Sequence, residues 1–345
     1  MSMKFRARAP VRIDFLGGGT DCPPFSAEHG GAVVNAGISR YVYATVELGG
    51  EGVRLVSKDF DVSVEAADVD ALPIDGKLDL LKACVKRGDI KTGFTLTTES
   101  DLPPESGLGA SGAVSVAVFA AMYHAAGKPV DPREVAHLSF VVERKDLGYP
   151  GGSQDQYGAA FGGVNYLTFK DPDVGVEQLA GRYASPAHPR VHAPTLLELE
   201  KNSLLVYTGV SHVSGNIHAD IRASYDLADS PTKRAMHNLK RLADEGRDAL
   251  LRGDLRTFAE LLNGNWKWHK ELHESCTNEK LEAVYSLALQ NGALGGKTCG
   301  AGGGGCVVFI CEDGAKPKLC KLLEAEGCQT LDFVLDFNGV QVWAV

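Results

Sequence analysis

The chain has 345 residues, enough for two ordinary domains or one large one with a well-buried core. Apolar residues make up 44% and charged residues 23%, a globular composition that excludes a disordered or fibrous chain. With 44 acidic and 35 basic residues the net charge is −9, and no Lys/Arg-rich tail or repeat is present, which argues against nucleic acid as a partner.

The chain starts with basic residues but no apolar run behind them, so no secretory signal is expected. Phe5–Arg12 alternates and leads into Asp14-Phe15-Leu16-Gly17-Gly18-Gly19-Thr20-Asp21, a strand entering a glycine loop. Val33–Val46, Val53–Val64 and Gly93–Thr98 read as further strands of a mixed or antiparallel sheet. Pro103-Pro104-Glu105-Ser106-Gly107-Leu108-Gly109-Ala110-Ser111-Gly112 then opens a buried helix over Ala113–Ala126, and a second helix spans Pro132–Lys145. Gly148–Gly163 is too rich in glycine for a regular element, and Val164–Phe169 resumes as a strand. Four prolines among polar residues in 171–200 mark a domain boundary, giving domains 1–190 and 191–345. Beyond it come a strand at Ser203–Thr208, helices near 232–250, 254–272 and 278–291, and a glycine tract. A strand Cys306–Ile310, a helix near 315–326 and a strand Thr330–Asp336 close the chain. This order predicts an α+β fold with two domains. The most apolar stretch, Ala113–Met122, is half a membrane span, so no membrane association is expected. Eight cysteines without C-x-x-C spacing read as small buried hydrophobes of a cytoplasmic protein.

Forty residues are glycine, seven of them between Gly295 and Gly305, well above the usual ~7%. Three glycine segments carry the candidate chemistry. Glycines before a helix start turn backbone amides inward at the positive end of the helix dipole, which suits phosphate groups. The segment ending in Gly107-Leu108-Gly109-Ala110-Ser111-Gly112 has that form; a tight turn with a serine helix cap is the other reading. In Gly151-Gly152-Ser153-Gln154-Asp155-Gln156, the Asp155 carboxylate lies between amide donors and either accepts a substrate proton or caps a turn. Gly295–Gly305 runs into a strand, which points to close approach of backbone to a ligand or to the other domain. Arg12 and Asp21 read either as binding residues or as a salt bridge. His269 and His273, four apart, lack a third metal ligand or an H-E-x-x-H pattern. Trp266 and Trp268, two apart, do not share a narrow helix face.

In their order and spacing, Arg12-Ile-Asp-Phe-Leu-Gly-Gly-Gly-Thr-Asp21, Pro104–Gly112 and Gly295–Gly305 resemble the GHMP small-molecule kinases. The resemblance implies a ribosomal-protein-like first domain and a ferredoxin-like second one, with ATP in the Pro104–Gly112 loop and an acceptor in the cleft. Asp155 matches the catalytic aspartate and Arg12 the arginine paired with it. Pro104, Ser106, Gly107, Leu108, Gly109, Ala110, Ser111 and Gly112 match the nucleotide loop, and Ser111 with Glu143 the Mg²⁺ ligands. Asp21 matches a sugar-hydroxyl ligand, and Gly18, Gly19, Gly152, His212 and Gly302 fall on the acceptor side. Where galactokinases have Glu-His, Gly18-Gly19 leave more room.

Gly-Gly-Gly-Thr-Asp21, Ser153–Tyr157 and Phe161–Tyr166 are most similar to kinases of D-glycero-D-manno-heptose 7-phosphate, which implies phosphorylation at C1. One departure is His212, where those kinases frequently carry Arg. Arg12–Phe15 and Asp21-Cys22-Pro23-Pro24 also resemble fucokinases, so L-fucose or another hexose is the alternative acceptor. A non-catalytic sugar- or nucleotide-binding regulator is the alternative from another class. Monomers and homodimers both occur in the family.

Overall fold

Alternating residues in Lys4–Leu16 (β1) and Gly31–Leu48 (β2) build the two longest strands, joined across the short helix Phe25–His29 (α1). The computed structural model describes residues 3–103, 105–171, 173–210, 214–227 and 230–345. Val53–Val64, read as one extended segment, is two strands, Val53–Ser57 (β3) and Val62–Ala66 (β4). Asp61 turns the chain between them at φ 50°, a conformation Asp tolerates. Asp79–Arg87 (α2) and Phe94–Ser100 (β5) lead to the loop before Ala110–Ala125 (α3). Small and apolar side chains on nearly every face of α3 suit its burial. Pro132–Val141 (α4) starts where the Asp131 carboxylate accepts the amides of Arg133 and Glu134, and ends in a π turn over Val142–Asp146.

Glycine content argues against regular structure in 148–163, yet Gln154–Phe161 (α5) is a helix. Its Gly158 packs on β1: a Cβ there would lie 3.1 Å from Arg12 Cβ. Close helix–strand contact, not chain flexibility, is what this glycine serves. The proline-bearing 171–200 segment also holds regular structure. Asp173–Ala180 (β7) forms a hairpin with Val164–Lys170 (β6), and Pro194 sits in the first turn of Ala193–Asn202 (α6).

Ser203–Tyr207 (β8), Ser214–Tyr225 (α7), Pro231–Arg252 (α8), Leu255–Lys270 (α9) and Glu279–Gln290 (α10) follow. Ala293–Thr298 (β9) takes up the first part of the glycine tract, before Cys306–Cys311 (β10), Lys316–Ala325 (α11), Gln329–Leu331 (β11) and Gln341–Ala344 (β12). β11 is shorter than the sequence suggests because the chain leaves it to bridge Leu335 to Ile38 of the first sheet.

The first sheet has the order β12-β1-β2-β5-β3-β4, with β6 pairing the other half of β2 and β7 pairing β6. Only β3 and β5 run parallel among its described strands. The second sheet, β11-β8-β10-β9, is antiparallel throughout. The architecture is α+β, and β12 returns the end of the chain to β1. One apolar core joins residues of β1, β2 and α3 to Leu205, Val308 and Ile310 of the second sheet. Burying a side chain such as Phe119 there contributes about 2–3 kcal/mol. All eight cysteines are free thiols, six of them buried, in line with their reading as small hydrophobes. Among the described residues no helix is long and apolar enough to cross a membrane.

Candidate active site

Arg12 and Asp14 lie two apart on β1 and therefore share one face of the sheet. Arg12 is only 4% exposed, and its guanidinium reaches three separate segments. Nε donates to Asp155 Oδ1 at 2.8 Å, with Nη2 2.7 Å from the same oxygen. Nη1 donates to the carbonyls of Gly107 at 2.8 Å and Cys299 at 2.7 Å. The Arg12 amide also donates to the Leu108 carbonyl. The start of α5, the loop before α3 and the late glycine tract are thus tied to one side chain. Burial works against the Arg12 charge, but Asp155 and then Asp14 outweigh it, and its pKa is raised.

Asp155 sits in the first turn of α5, with its side chain partly open to the cavity. Two glycines of the preceding loop make room for it. A Cβ on Gly109 would lie 3.0 Å from Asp155 Cγ, and one on Gly112 would lie 2.9 Å from Asp155 Cβ. Gly107 and Gly109 have positive φ, 74° and 76°, which an L side chain rarely adopts. Gly109 caps α3 without a side-chain hydrogen bond, and among the described residues the amides of Ala110, Ser111 and Gly112 have no side-chain acceptor. Those donors at a helix start suit phosphate oxygens. Buried Ser106 accepts the Cys306 amide at its carbonyl, and Leu108 is buried in the core. Pro104 and His212, both expected at the site, lie outside the described residues.

Glu143 lies on the π turn and is 3% exposed. Ser111 Oγ donates to its Oε2 at 3.0 Å, and Gln156 Nε2 donates to its Oε1 at 2.8 Å. Burial pushes the Glu143 carboxyl up, against the pull of Arg144, Gln156 and Ser111. The expected pair Ser111 and Glu143 therefore stands together, next to the loop. π turns frequently mark functional positions because they shift side chains off the regular helical face.

Asp21 fastens two loops. Its Oδ2 accepts the Gln154 amide at 3.0 Å and its Oδ1 the Gly19 amide at 3.2 Å. Gly152 leaves the space this carboxylate fills, since a Cβ there would lie 1.9 Å from Asp21 Oδ2. Burial pushes the Asp21 carboxyl up to about 6, helped by Asp155 and Asp14 and opposed by the Gln154 amide. A folded-state pKa above the ordinary value means that the native state binds this proton more tightly than the unfolded chain does. Stability from this group is full below about pH 4 and is lost as pH rises through about 6. Between those limits the parent protein should lose about 2–3 kcal/mol relative to Asp21→Asn. Paired denaturant titrations from pH 4 to 7.5 measure this; a difference independent of pH would contradict it.

The room expected at Gly18 and Gly19 is only half present. A Cβ on Gly18 would meet Asp14 Oδ2 at 1.8 Å, so the Asp14 carboxylate already fills that space. A Cβ on Gly19 would meet only Leu272 Cδ1, at 3.8 Å, so position 19 is open. Asp14 is held by Lys297, a fully buried side chain whose Nζ lies 2.9 Å from Asp14 Oδ2 and donates to the Asp14 carbonyl at 2.8 Å. Sequence reasoning missed this pair, although a lone lysine between glycines on a strand was a signal. Gly302 packs on the Cys276 carbonyl, at 2.1 Å from a Cβ, and its neighbours Gly300 and Ala301 line the cavity. His269 is buried with Nε2 2.9 Å from the Ala301 carbonyl, and burial lowers its pKa to about 4. His273 accepts the Ser275 amide and caps a short turn, so the two histidines take separate structural roles. Trp266 is buried in the second core and Trp268 only partly.

The cavity has two lobes. The inner, about 50 Å³, is lined by Arg12, Asp14, Asp21, Gln154, Asp155 and His269. The outer, about 240 Å³, is lined by Pro24, Phe140, Tyr149, Arg222, Tyr225 and Met236. Gly19, Cys22, Arg144, His218 and Ile221 border both. Neither His218 nor Arg222 carried a sequence signal, because α7 brings them to the cavity only in the folded chain.

The family model for the N-terminal domain of GHMP kinases matches residues 78–163, and that for their C-terminal domain matches 247–322. A D-glycero-alpha-D-manno-heptose 7-phosphate kinase from Campylobacter jejuni is 34% identical over 99% of each chain. An L-fucokinase/L-fucose-1-P guanylyltransferase from Bacteroides fragilis is 29% identical over 89% of this chain but only 34% of its own length. The crystal structure of a D-glycero-D-manno-heptose 1-phosphate kinase from Bacteroides thetaiotaomicron superposes with a TM-score of 0.77 at 29% identity, covering 98% of both chains. The first family match contains the Gly107–Gly112 loop, Glu143 and Asp155, and the second contains the late glycine tract with Lys297. The two family matches, on an α+β fold, together with the 34% identity over 99% of each chain to the Campylobacter jejuni kinase, establish that the chain belongs to the GHMP kinases and is an ATP-dependent sugar kinase.

Proposed function

We propose that the chain transfers the γ-phosphoryl group of ATP to the anomeric hydroxyl of D-glycero-D-manno-heptose 7-phosphate, giving the 1,7-bisphosphate. The observation that supports this most is the Arg12 guanidinium, which holds Asp155 directly beside the Gly107–Gly112 loop. The heptose phosphate is favoured by the relative that matches 99% of the chain.

Asp155 accepts the C1 hydroxyl proton as the hydroxyl oxygen bonds to phosphorus and the bond to the β-phosphate oxygen breaks, leaving ADP. An anomeric hydroxyl is more acidic than an ordinary alcohol, so a carboxylate of modest basicity suffices. Arg12 orients Asp155 through Nε and Nη2, and the amides at the start of α3 bind phosphate oxygens. The Ser111 hydroxyl and the Glu143 carboxylate, 3.0 Å apart, are hard oxygen donors that fit Mg²⁺. They would hold the ion beside the loop, where it would neutralise phosphate charge. Asp21 and the inner lobe receive the sugar.

Coupled ATP-consumption assays with heptose 7-phosphate, L-fucose and galactose test the reading. Turnover with the heptose phosphate and little with the two hexoses is expected. Preference for L-fucose would replace it with the fucokinase reading, and no turnover on any sugar would favour a binding regulator.

A further inference from the structure

We propose that Arg222, together with Arg144, receives a phosphate monoester at the far end of the acceptor, in the outer lobe of the cavity. This rests on the heptose phosphate reading and names the residues that would select for the phosphate.

An acceptor with its reacting hydroxyl at Asp155 has only about 50 Å³ around that end. Past Gly19 and His218 the larger lobe of about 240 Å³ offers space for the rest of the molecule. Most of that lobe is apolar wall, including Pro24, Phe140 and Met236. Two guanidinium groups break this pattern, in a chain whose net charge is −9.

Arg144 is fixed in place. Its Nε and Nη2 donate to the Gly152 carbonyl at 3.1 and 2.9 Å, and its Nη1 to the carbonyls of Tyr149 and Pro150 at 3.1 and 3.0 Å. Gly151 lets the guanidinium lie on this turn, since a Cβ there would be 2.7 Å from Arg144 Nη2. Carbonyls orient the group without cancelling its charge. Glu143 is 3.8 Å away, and its oxygens already accept from Ser111, Ser115 and Gln156. Arg144 also borders the inner lobe, so it stands where the two lobes meet.

Arg222, in the last turn of α7, is held more loosely. Its Nε donates to Asp226 at 3.0 Å, one turn on, in a half-exposed pair, and its Nη1 reaches the Pro23 carbonyl only at 3.5 Å. Exposed pairs of this spacing are worth about 0.3–0.5 kcal/mol, so the side chain is free to turn to a dianion. Its Nη2 donates to no other group among the described residues. Two guanidiniums, one rigid and one adjustable, match the charge and donor needs of a phosphate monoester. A methyl group at that end, as in L-fucose, would use neither.

The test is the ratio of kcat/KM for D-glycero-D-manno-heptose 7-phosphate to kcat/KM for the same heptose without its phosphate. A ratio cancels any loss of active protein. The parent enzyme should favour the phosphorylated sugar, and Arg222→Gln should reduce the ratio about 10- to 100-fold, the effect of one charge-assisted hydrogen bond. Arg222→Lys, which keeps the charge, should retain a larger share of it. A parent enzyme indifferent to the phosphate would overturn the heptose phosphate reading itself. A parent enzyme that prefers it, with Arg222→Gln as selective as the parent, would overturn this assignment alone.

Discussion

Asp155→Asn should still bind ATP while turnover falls about 10²- to 10⁴-fold, the range that a positioned general base supplies. Asn fills the same space between Gly109 and Gly112, where a Cβ on either glycine would lie within 3.0 Å of the Asp155 side chain. Its amide oxygen can still accept from Arg12, so the Gly107–Gly112 loop keeps its links to Arg12 through Gly107 and Leu108. What disappears is the negative charge and the capacity to take the C1 hydroxyl proton. Titration with a fluorescent ATP analogue beside steady-state kinetics separates the two effects. Turnover within a few-fold of the parent would remove Asp155 from proton transfer.

Arg12→Met should fail differently, in stability and in nucleotide binding as well as in rate. The guanidinium satisfies the Asp155 carboxylate and the carbonyls of Gly107 and Cys299 at once. Met fills a similar volume but leaves all three without this donor. An unsatisfied buried polar group costs about 1–3 kcal/mol, and breaking a buried ion pair costs about 3–5 kcal/mol. Asp155 is partly exposed, with 26% of its side-chain surface accessible, and water recovers some of that loss. A net loss near 3 kcal/mol is expected on these grounds. Because Gly107 is released, the KM for ATP should rise, in contrast to Asp155→Asn. Chemical denaturation and ATP kinetics together check this; an unaltered KM for ATP with lowered turnover would show that Arg12 serves Asp155 alone.

The contrast between these two variants reflects how the site is built, and part of that was legible in the sequence. Local chemistry showed itself well. The run Gly107-Leu108-Gly109-Ala110-Ser111-Gly112 ahead of an apolar helix could be read as a phosphate loop because its geometry depends on neighbouring residues. Strands β1, β2, β5, β6, β8 and β10 and helices α8 to α11 followed from alternation and apolar spacing.

Glycine was harder to read, since it serves both ligand approach and packing. In 148–163 it concealed α5, where Gly158 is needed against Arg12 and Asn35. In the late tract, Gly295 and Gly296 belong to β9. A Cβ on Gly295 would lie 1.9 Å from the Ala259 carbonyl of α9, so it serves helix–sheet contact, and one on Gly296 would lie 2.3 Å from the ring of its cross-strand neighbour Phe309, so it leaves room within the sheet. Gly300, by contrast, faces the Gly107–Gly112 loop, 3.0 Å from the Gly107 carbonyl for a Cβ at that position. One composition signal therefore held two different physical causes.

Tertiary convergence left no local mark. Asp14 and Lys297 are 283 positions apart and form a buried pair under Gly18. Arg144 followed Glu143 in the sequence without distinction, yet its anchor is the turn at 149–152. His218 and Arg222 reach the cavity only because α7 packs there. Arg144, His218 and Arg222 line the cavity proposed for the acceptor, which is why the reaction class was easier to read than the acceptor.

The most direct measurement of the central claim is the product formed from ATP and D-glycero-D-manno-heptose 7-phosphate, followed by phosphorus and carbon NMR. A new phosphorus resonance coupled to the anomeric carbon and proton, with the original phosphate at C7 retained, is the predicted result. Phosphorus coupled to any other carbon, or ATP hydrolysed with the sugar unchanged, would contradict transfer to the C1 hydroxyl.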